Sequence, residues 1–232
     1  MKLRVRYSKL GKIRFTSHRD TARHWERAVR KTGVQVAYSA GFTPRPKMSF
    51  GLALPTGGES LAEYLDIDLV GDHDLGDMAG RFDAALPPGY EATRVVEREH
   101  GVSSLQDAVV ACTWQFDLAG VSPAEVTEAV AVVQAAPTLM VERERKGQRS
   151  TDDVRPAIVD LQAEGTRLTA MLATTSRGLR PLELVAALLP AHDPVDATAR
   201  VLRTHQWIDG DGAYRELLPL DAVAARPLGE RE

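Results

Sequence analysis

Arg45 and Lys47 are the residues of this chain best suited to bind an anion, because two prolines hold them in place. The planar guanidinium of arginine matches the oxygens of a phosphate, and the lysine ammonium adds a point charge. Pro44 and Pro46 fix their own φ angles and push the preceding residues toward extended backbone. Such a segment cannot join a helix, and it loses little conformational entropy when a ligand docks. The sequence therefore predicts a stiff loop that presents positive charge.

Positive charge is concentrated at the beginning of the chain, although the formal net charge of all 232 residues is only −3. Residues 1–50 contain 13 Lys or Arg and 2 Asp or Glu, whereas residues 51–232 contain 16 and 30. A basic segment of this kind is typical of proteins that bind nucleic acid or another polyanion. Docking onto the acidic part of the same chain, or onto an acidic partner protein, would use the same charge.

A helix with clear boundary signals follows the first predicted strand, whose residues 2–8 alternate between apolar and mostly cationic side chains. Ser17 is a candidate N-cap, Asp20 completes a pattern like a capping box, and Gly33 is expected to end the helix. One helix face carries an arginine every three or four residues, at Arg19, Arg23, Arg27 and Arg30. We expect this row to share one electropositive surface with the proline-rich loop, and the alternative is a solvated helix face.

Few other residues suggest chemistry. His18, in the first turn of this helix, is a weak candidate for acid–base catalysis near a phosphate, and an exposed histidine without a task is the alternative. Asp66 and Asp68 share one strand face and make only part of a metal site, so pairing with arginine or solvation is the better interpretation. We therefore predict no metal and no cofactor.

The single cysteine, Cys112, lies in an alternating apolar run and is expected to be buried. One cysteine excludes a disulfide framework within these residues. No apolar run approaches the ~20 residues that cross a bilayer, and the N-terminal residues lack the apolar region of a signal peptide. We expect a cytoplasmic protein without a membrane partner.

The pattern of strands and helices predicts an α+β fold made of two tandem ferredoxin-like (βαββαβ) units with antiparallel sheets. We expect a basic unit over 1–100, a second unit over 101–218 and a weakly ordered tail over 219–232. Polar residues 146–150 are expected to join strands over 138–145 and 155–163. A single α+β domain with one long sheet is the competing interpretation.

Three segments, Tyr7–Lys9, Ile13–Asp20 and Val36–Phe50, resemble the radical SAM-linked protein family, a domain found beside or fused to radical SAM proteins. Arg155-Pro156 and Leu179-Arg180-Pro181 are similar to its later part, so the resemblance covers most of residues 1–208. The family has no established catalytic residues, and the resemblance implies none here. A radical SAM enzyme holds its iron–sulfur cluster with three closely spaced cysteines. The resemblance therefore implies that radical chemistry belongs to a partner protein.

We expect a non-catalytic module that binds RNA, such as tRNA or another structured RNA, and recognises substrate for a separate radical SAM enzyme. The candidate phosphate contacts are Arg14, Arg19, Arg23, Arg45 and Lys47; the candidates for stacking on bases are Tyr38, Phe42 and Phe50; and Arg149, Arg177 and Arg180 are candidates from the second unit.

Two alternatives stay open. One is a metal-independent endoribonuclease, similar in layout to the CRISPR repeat-processing enzymes, with His18 as acid or base and Lys47 or Arg45 stabilising the charge that develops on the phosphate. The other is a module whose basic end docks an acidic partner protein.

Overall fold

The computed structural model of the protein describes residues 1–98, 103–145, 147–174, 178–218 and 226–227. It is a mixed α+β structure with a large, mostly antiparallel sheet and, among the described residues, five α-helices. The α-helices are α1 (His18–Thr32), α2 (Met78–Ala85), α3 (Leu105–Ala108), α4 (Pro123–Ala135) and α5 (Pro181–Leu188). The strands are β1 (Lys2–Lys9), β2 (Met48–Phe50), β3 (Glu59–Asp68), β4 (Tyr90–Glu97), β5 (Val109–Leu118), β6 (Met140–Arg145), β7 (Gln148–Asp153), β8 (Ile158–Glu164), β9 (Arg167–Ala173), β10 (Thr198–Asp209), β11 (Ala213–Glu216) and β12 (Arg226–Pro227).

The chain divides into two compact units. The first contains Met1–Val109 together with Gln206–Glu232, and the second contains Val110–His205. The chain therefore returns to the first unit within β10. This division differs from the predicted one, which assigned residues 206–218 to the second unit. Their place in the first unit has a physical cause, because Glu216 forms an ion pair with the Arg6 side chain at 2.9 Å.

In the first unit, antiparallel ladders join β1 to both β4 and β3, and β2 runs antiparallel to β3 on the opposite edge. The helices α1 and α2 pack on one face of these strands. The core between the two layers is apolar, and its largest fully buried side chains are Trp25, Phe82, Leu3, Leu65, Ile67 and Met78. Burying a side chain of this size stabilises the fold by roughly 1.5–3 kcal/mol.

The helix α1 has the boundaries that its sequence predicts. The Ser17 side chain accepts a hydrogen bond from the Asp20 backbone N–H, and Gly33 adopts a left-handed conformation with φ 69° at the C-terminus. Of its apolar residues, Trp25, Ala28 and Val29 are buried in the core, and the arginine row lies on the outward side.

In the second unit, β9 lies between β5 and β8 in antiparallel ladders. The helix α4 packs against β8 and contacts α5. Cys112 is buried in β5, as predicted. The helix α4 begins with a capping box, in which Ser122 and Glu125 exchange hydrogen bonds between side chain and backbone.

Three local features depend on contacts made in the fold. Residues 11–15 form a 3-10 helix. Val36 and Tyr38 form isolated antiparallel bridges to Leu69 and Pro46. Residues 148–153 form β7, which pairs with β6 in a hairpin and was expected to be a loop followed by a strand from residue 155.

The antiparallel α+β class is confirmed, and the tandem ferredoxin-like arrangement stays a prediction. The boundary near Gly101 lies outside the described residues, as does the tail over 219–232 apart from the short strand β12. Among the described residues, no helix has both the length and the apolar character required to cross a bilayer.

Candidate nucleic-acid interface

The proline-rich loop is the outer part of a hairpin-like arm, which we define as residues 37–47. Lys47 donates its backbone N–H to the Ala37 carbonyl at 2.7 Å, and Tyr38 forms an antiparallel bridge with Pro46. The Ser39 N–H donates to the Arg45 carbonyl at 2.9 Å, and the Arg45 N–H donates to the Ser39 hydroxyl at 3.1 Å. These bonds close a loop of five residues, 40–44, at the tip of the arm.

The side chains of the arm face solvent. Phe42, in the middle of the tip, is fully exposed, and Tyr38 keeps about half of its surface accessible, at 49%. Arg45 and Lys47 are both exposed, and neither forms an ion pair with a described residue. The arm therefore displays an aromatic ring and two unneutralised cations within a few residues of each other.

The arm is anchored to the edge of the first unit at β2 and β3. The Ala37 N–H donates to the Asp68 carbonyl, and the Asp68 N–H donates to the Lys47 carbonyl at 3.0 Å. Met48, the first residue of β2, pairs with Ile67 and packs against the core. Because side chains alternate along extended backbone, Lys47 projects from the sheet side opposite to Met48 and hence opposite to α1 and α2.

The arginine row of α1 makes a second basic surface. Arg19, Arg27 and Arg30 are exposed and form no ion pair with a described residue. Arg23, also exposed, pairs with Asp20 one turn away, at 3.1 Å between Nη1 and Oδ1. An exposed pair of this kind contributes little stability and leaves the arginine accessible.

His18 and Phe50 contact each other at the beginning of α1. Their rings lie edge to face with centroids 5.3 Å apart, and Phe50 is half-buried at the end of β2. His18 is exposed and makes no hydrogen bond to a described residue. The structure thus gives His18 an aromatic neighbour, and it places Lys47 on the other side of the same edge.

The two arginines of β1, Arg4 and Arg6, are buried and add no exposed positive charge. Arg4 forms a two-pronged ion pair with Asp66, with nitrogen–oxygen distances of 2.7 and 2.9 Å, and Arg98 approaches the same carboxylate at 3.3 Å. Lys2 pairs with Asp68 at 3.6 Å. Asp66 and Asp68, the pair considered above for metal binding, therefore neutralise cations. No group of three or more potential metal ligands occurs among the described residues.

Two further cations of the first fifty residues are partly or wholly enclosed. Lys9 is buried and donates to the Thr16 carbonyl at 2.9 Å. Arg14, in the 3-10 helix over Gly11–Phe15, lies 3.6 Å from Glu59 and 4.8 Å from the centre of the Phe15 ring. Arg14 is still about one-third exposed, so it can contact a ligand only in competition with Glu59.

Phe15 is a surface aromatic residue that the sequence reading missed. It is 62% exposed and carries the Arg14 guanidinium on its ring. Ile13 and Phe15 are two residues apart, so in a strand both side chains would lie on the same face. The 3-10 helix turns Phe15 outward instead, and only the adjacent Arg-Phe pair signals a cation–π contact.

A polar cluster lies beneath α1. The Tyr90 hydroxyl is within 2.9 Å of the Thr21 hydroxyl, 3.1 Å of the Thr16 hydroxyl and 3.5 Å of His24 Nδ1. Burial and the nearby Arg27 charge lower the pKa of His24, against the opposing effect of Asp20. Burial raises the pKa of Tyr90. His24 therefore favours its neutral form at neutral pH and serves the packing of α1.

The predicted contacts of the second unit are placed as follows. Arg149, on β7, is highly exposed and lies 3.6 Å from Glu144 across the hairpin. Arg180 is exposed and precedes α5, where its backbone N–H donates to Glu183. Arg177 lies outside the described residues.

A chain in the crystal structure of a Cbf5-Nop10-Gar1 complex matches 88% of this chain at 6% sequence identity, with a TM-score of 0.46. The match covers 48% of that chain, so this protein spans about half its length. A search of the curated proteins finds no significant match.

A family model identifies the chain more directly. The model described as "Uncharacterized protein conserved in bacteria (DUF2344)" matches residues 2–181 and thus includes β1, the arm, α1 and most of the second unit. The chain belongs to this family of proteins conserved in bacteria.

Proposed function

We propose that this protein is a non-catalytic RNA-binding module whose arm, residues 37–47, contacts a structured RNA such as tRNA. The observation that carries the proposal is the arm itself, where fully exposed Phe42 lies close in sequence to Arg45 and Lys47. Five cations of residues 1–50 are neutralised or enclosed, whereas Arg45 and Lys47 are exposed and form no ion pair within the part of the chain that the structure describes. Cations bind phosphates, and an exposed aromatic ring offers a face on which a base stacks.

An acidic protein partner explains this arrangement less well. Such a partner would use Arg45 and Lys47, but it would leave the Phe42 ring in water unless it also supplied an apolar pocket. A nucleic acid supplies both the phosphates and the flat rings in one molecule. The exposed arginines of α1 give the same ligand a second, sequence-independent contact.

The endoribonuclease alternative has weaker support. A catalytic histidine must lie within reach of the phosphate that Lys47 or Arg45 would stabilise. His18 packs against Phe50, while Lys47 projects from the opposite side of that edge. Incubation of labelled total RNA with the protein and with His18→Ala tests the alternative, and we expect no cleavage by either.

The association with a radical SAM enzyme also belongs to this proposal, and the resemblance of Val36–Phe50 to radical SAM-linked proteins is what supports it. The single buried Cys112 cannot supply the cysteines of the cluster. We propose that the enzyme is a separate chain, that this protein presents the RNA to it, and that both act in the cytoplasm.

We further propose that the first unit is ferredoxin-like. The support is its strand arrangement, in which β4, β1, β3 and β2 are successive antiparallel neighbours. This order follows from a split βαβ unit with crossover helices on one face. A ferredoxin-like second unit is proposed on the sequence pattern alone.

Fluorescence anisotropy with a labelled structured RNA at low salt tests the RNA proposal. We compare the protein with the double variant Arg45→Ala/Lys47→Ala, and we use Arg27→Ala/Arg30→Ala as a control that removes the same charge from α1. The arm variant is expected to weaken binding at least tenfold more than the control variant. Absence of RNA binding at low salt, or equal losses in the two variants, contradicts the proposal.

A further inference from the structure

The tip of the arm points to the kind of RNA that the protein recognises. We propose that the arm selects unpaired nucleotides, with Phe42 stacking on an exposed base while Arg45 and Lys47 contact the adjoining phosphates. The inference rests on the proposed function and deepens it, because it assigns the ligand to RNA with loops, bulges or single-stranded ends. A continuous RNA duplex, which has no unpaired nucleotides, is not a ligand that the arm would select.

Phe42 contributes nothing to the packing of the fold. Its side chain is fully exposed, so the fold gains nothing from its apolar surface. Aromatic residues bury 150–250 Å² when they pack, and the core of this unit uses Trp25 and Phe82 in that way. A phenyl ring left wholly in water at the end of an anchored arm is placed for contact with a ligand.

The backbone of the arm holds the Phe42 ring in a defined position. Two hydrogen bonds between Ser39 and Arg45 close the tip, and the Tyr38–Pro46 bridge supports it. Gly41 has φ 123°, a conformation that other residues rarely adopt, immediately before Phe42. Pro44 fixes the backbone on the other side. Docking on such a loop costs less ordering entropy than docking on a flexible one.

Phe42 and Arg45 are close enough to contact the same nucleotide and its neighbouring phosphate. Phe42 and Arg45 are three residues apart, so their Cα atoms are separated by at most ~11 Å even in extended backbone. The long side chain of Arg45 can therefore reach a phosphate beside the nucleotide whose base covers Phe42. Lys47 lies on the same side of the extended segment as Arg45 and can reach a second phosphate.

The accessibility of base faces decides which kind of RNA this ring can contact. In an RNA duplex each base is stacked between neighbours, and the deep, narrow major groove does not admit side chains. A ring at the tip of an arm therefore finds no free base face along a continuous duplex. Unpaired bases in loops, bulges and ends offer that face, and any base can be used because every base has one.

Two RNAs test the inference: a hairpin with an unpaired loop, and a blunt duplex with the same number of phosphates. We expect the protein to bind the hairpin at least tenfold more tightly. Phe42→Ala is expected to weaken hairpin binding by about 5- to 150-fold, the range for loss of one base–aromatic stack. Phe42→Trp should retain hairpin affinity, and duplex binding should change little in either variant.

Phe15→Ala is the matched control, because it removes another exposed phenyl ring from the same unit. It should leave the preference for the hairpin unchanged, and an unchanged melting temperature of Phe42→Ala verifies that the fold is intact. Equal binding of both RNAs, or no effect of Phe42→Ala on the hairpin, overturns the inference while RNA binding through cations stands. Loss of binding to both RNAs by Phe42→Ala also overturns it. No binding of either RNA by the unaltered protein overturns the proposed function as well.

Discussion

At the scale of single residues, the pairing of strands decides which cations reach the surface. The sequence shows that β1 alternates apolar and mostly charged side chains, but it does not show which acids lie opposite. The register joins Lys2 to Asp68 and Arg4 to Asp66, and Glu216 reaches Arg6 from a distant part of the chain. These partners depend on tertiary structure, so charge counting along the sequence overstates the basic surface.

Asp66 is expected to be a major contributor to stability. Asp66→Asn removes the charge that compensates Arg4 and Arg98 in a buried site, and losing one partner of a buried pair typically costs about 3–5 kcal/mol. Asp68→Asn is the matched control on the same strand face, where the pair with Lys2 is partly exposed and is expected to contribute at most about 1 kcal/mol. Urea unfolding measures both free energies, and similar losses would contradict the account.

His24 gives a pH prediction. Its pKa is lowered from 6.5 by burial and by Arg27, with a smaller lowering by Lys9 and an opposing effect of Asp20. As pH falls below 6.5, the unfolded chain takes up this proton before the folded protein does. The free energy of unfolding therefore decreases as the pH falls from 6.5 to the lower pKa of His24 in the folded protein. Above pH 6.5, where His24 is mostly neutral in both states, this group has little effect on stability.

Nuclear magnetic resonance titration of His24 should give a pKa below 6.5, and His24→Gln should reduce the loss of stability between about pH 7 and pH 5. A measured pKa at or above 6.5 would show that the charged imidazole is not penalised by its surroundings.

At the scale of elements, local signals predict helices well and polar strands poorly. Ser17, Gly33 and the Ser122–Glu125 box mark helix ends through contacts within a few residues, so the sequence contains the information. The strand β7 contains only polar residues and has no apolar alternation, and only its pairing with β6 makes it a strand. The bridge at Val36 likewise depends on Leu69, a partner that is distant in the sequence.

Gly89 fixes the connection between α2 and β4 against the beginning of the 3-10 helix. Its φ is 97°, and an added Cβ would lie 2.7 Å from the Leu10 carbonyl oxygen and 2.9 Å from Ile13 Cγ2. Gly89→Ala is expected to cost about 2–5 kcal/mol, from backbone strain and overpacking together.

Gly71→Ala is the control for this substitution, because Gly71 has φ 71° and nothing within 4 Å of an added Cβ. Strain alone predicts a loss of about 1–2 kcal/mol there. Chemical denaturation of both variants separates the two contributions, and a Gly89→Ala loss no larger than that of Gly71→Ala would refute the close packing at this turn.

At the scale of the whole molecule, the sequence predicts the fold class and the stiff loop but not the geometry of the candidate site. The prolines and Gly41 indicate the loop from local chemistry alone. That Lys47 projects away from α1 follows from the pairing of Met48 with Ile67, which no local pattern contains. The cations expected to form a single basic surface therefore lie on two sides of the sheet, and the arm carries the fully exposed ring of Phe42.

The salt dependence of RNA binding is the most direct test of the claim that Arg45 and Lys47 of the arm contact phosphates. Each phosphate neutralised contributes about 0.7–0.9 to the slope of log affinity against log salt concentration. We predict that Arg45→Ala/Lys47→Ala reduces the steepness of this slope by about 1.4–1.8 relative to the unaltered protein. An unchanged slope would contradict the account, because it would mean that neither cation of the arm touches the RNA backbone.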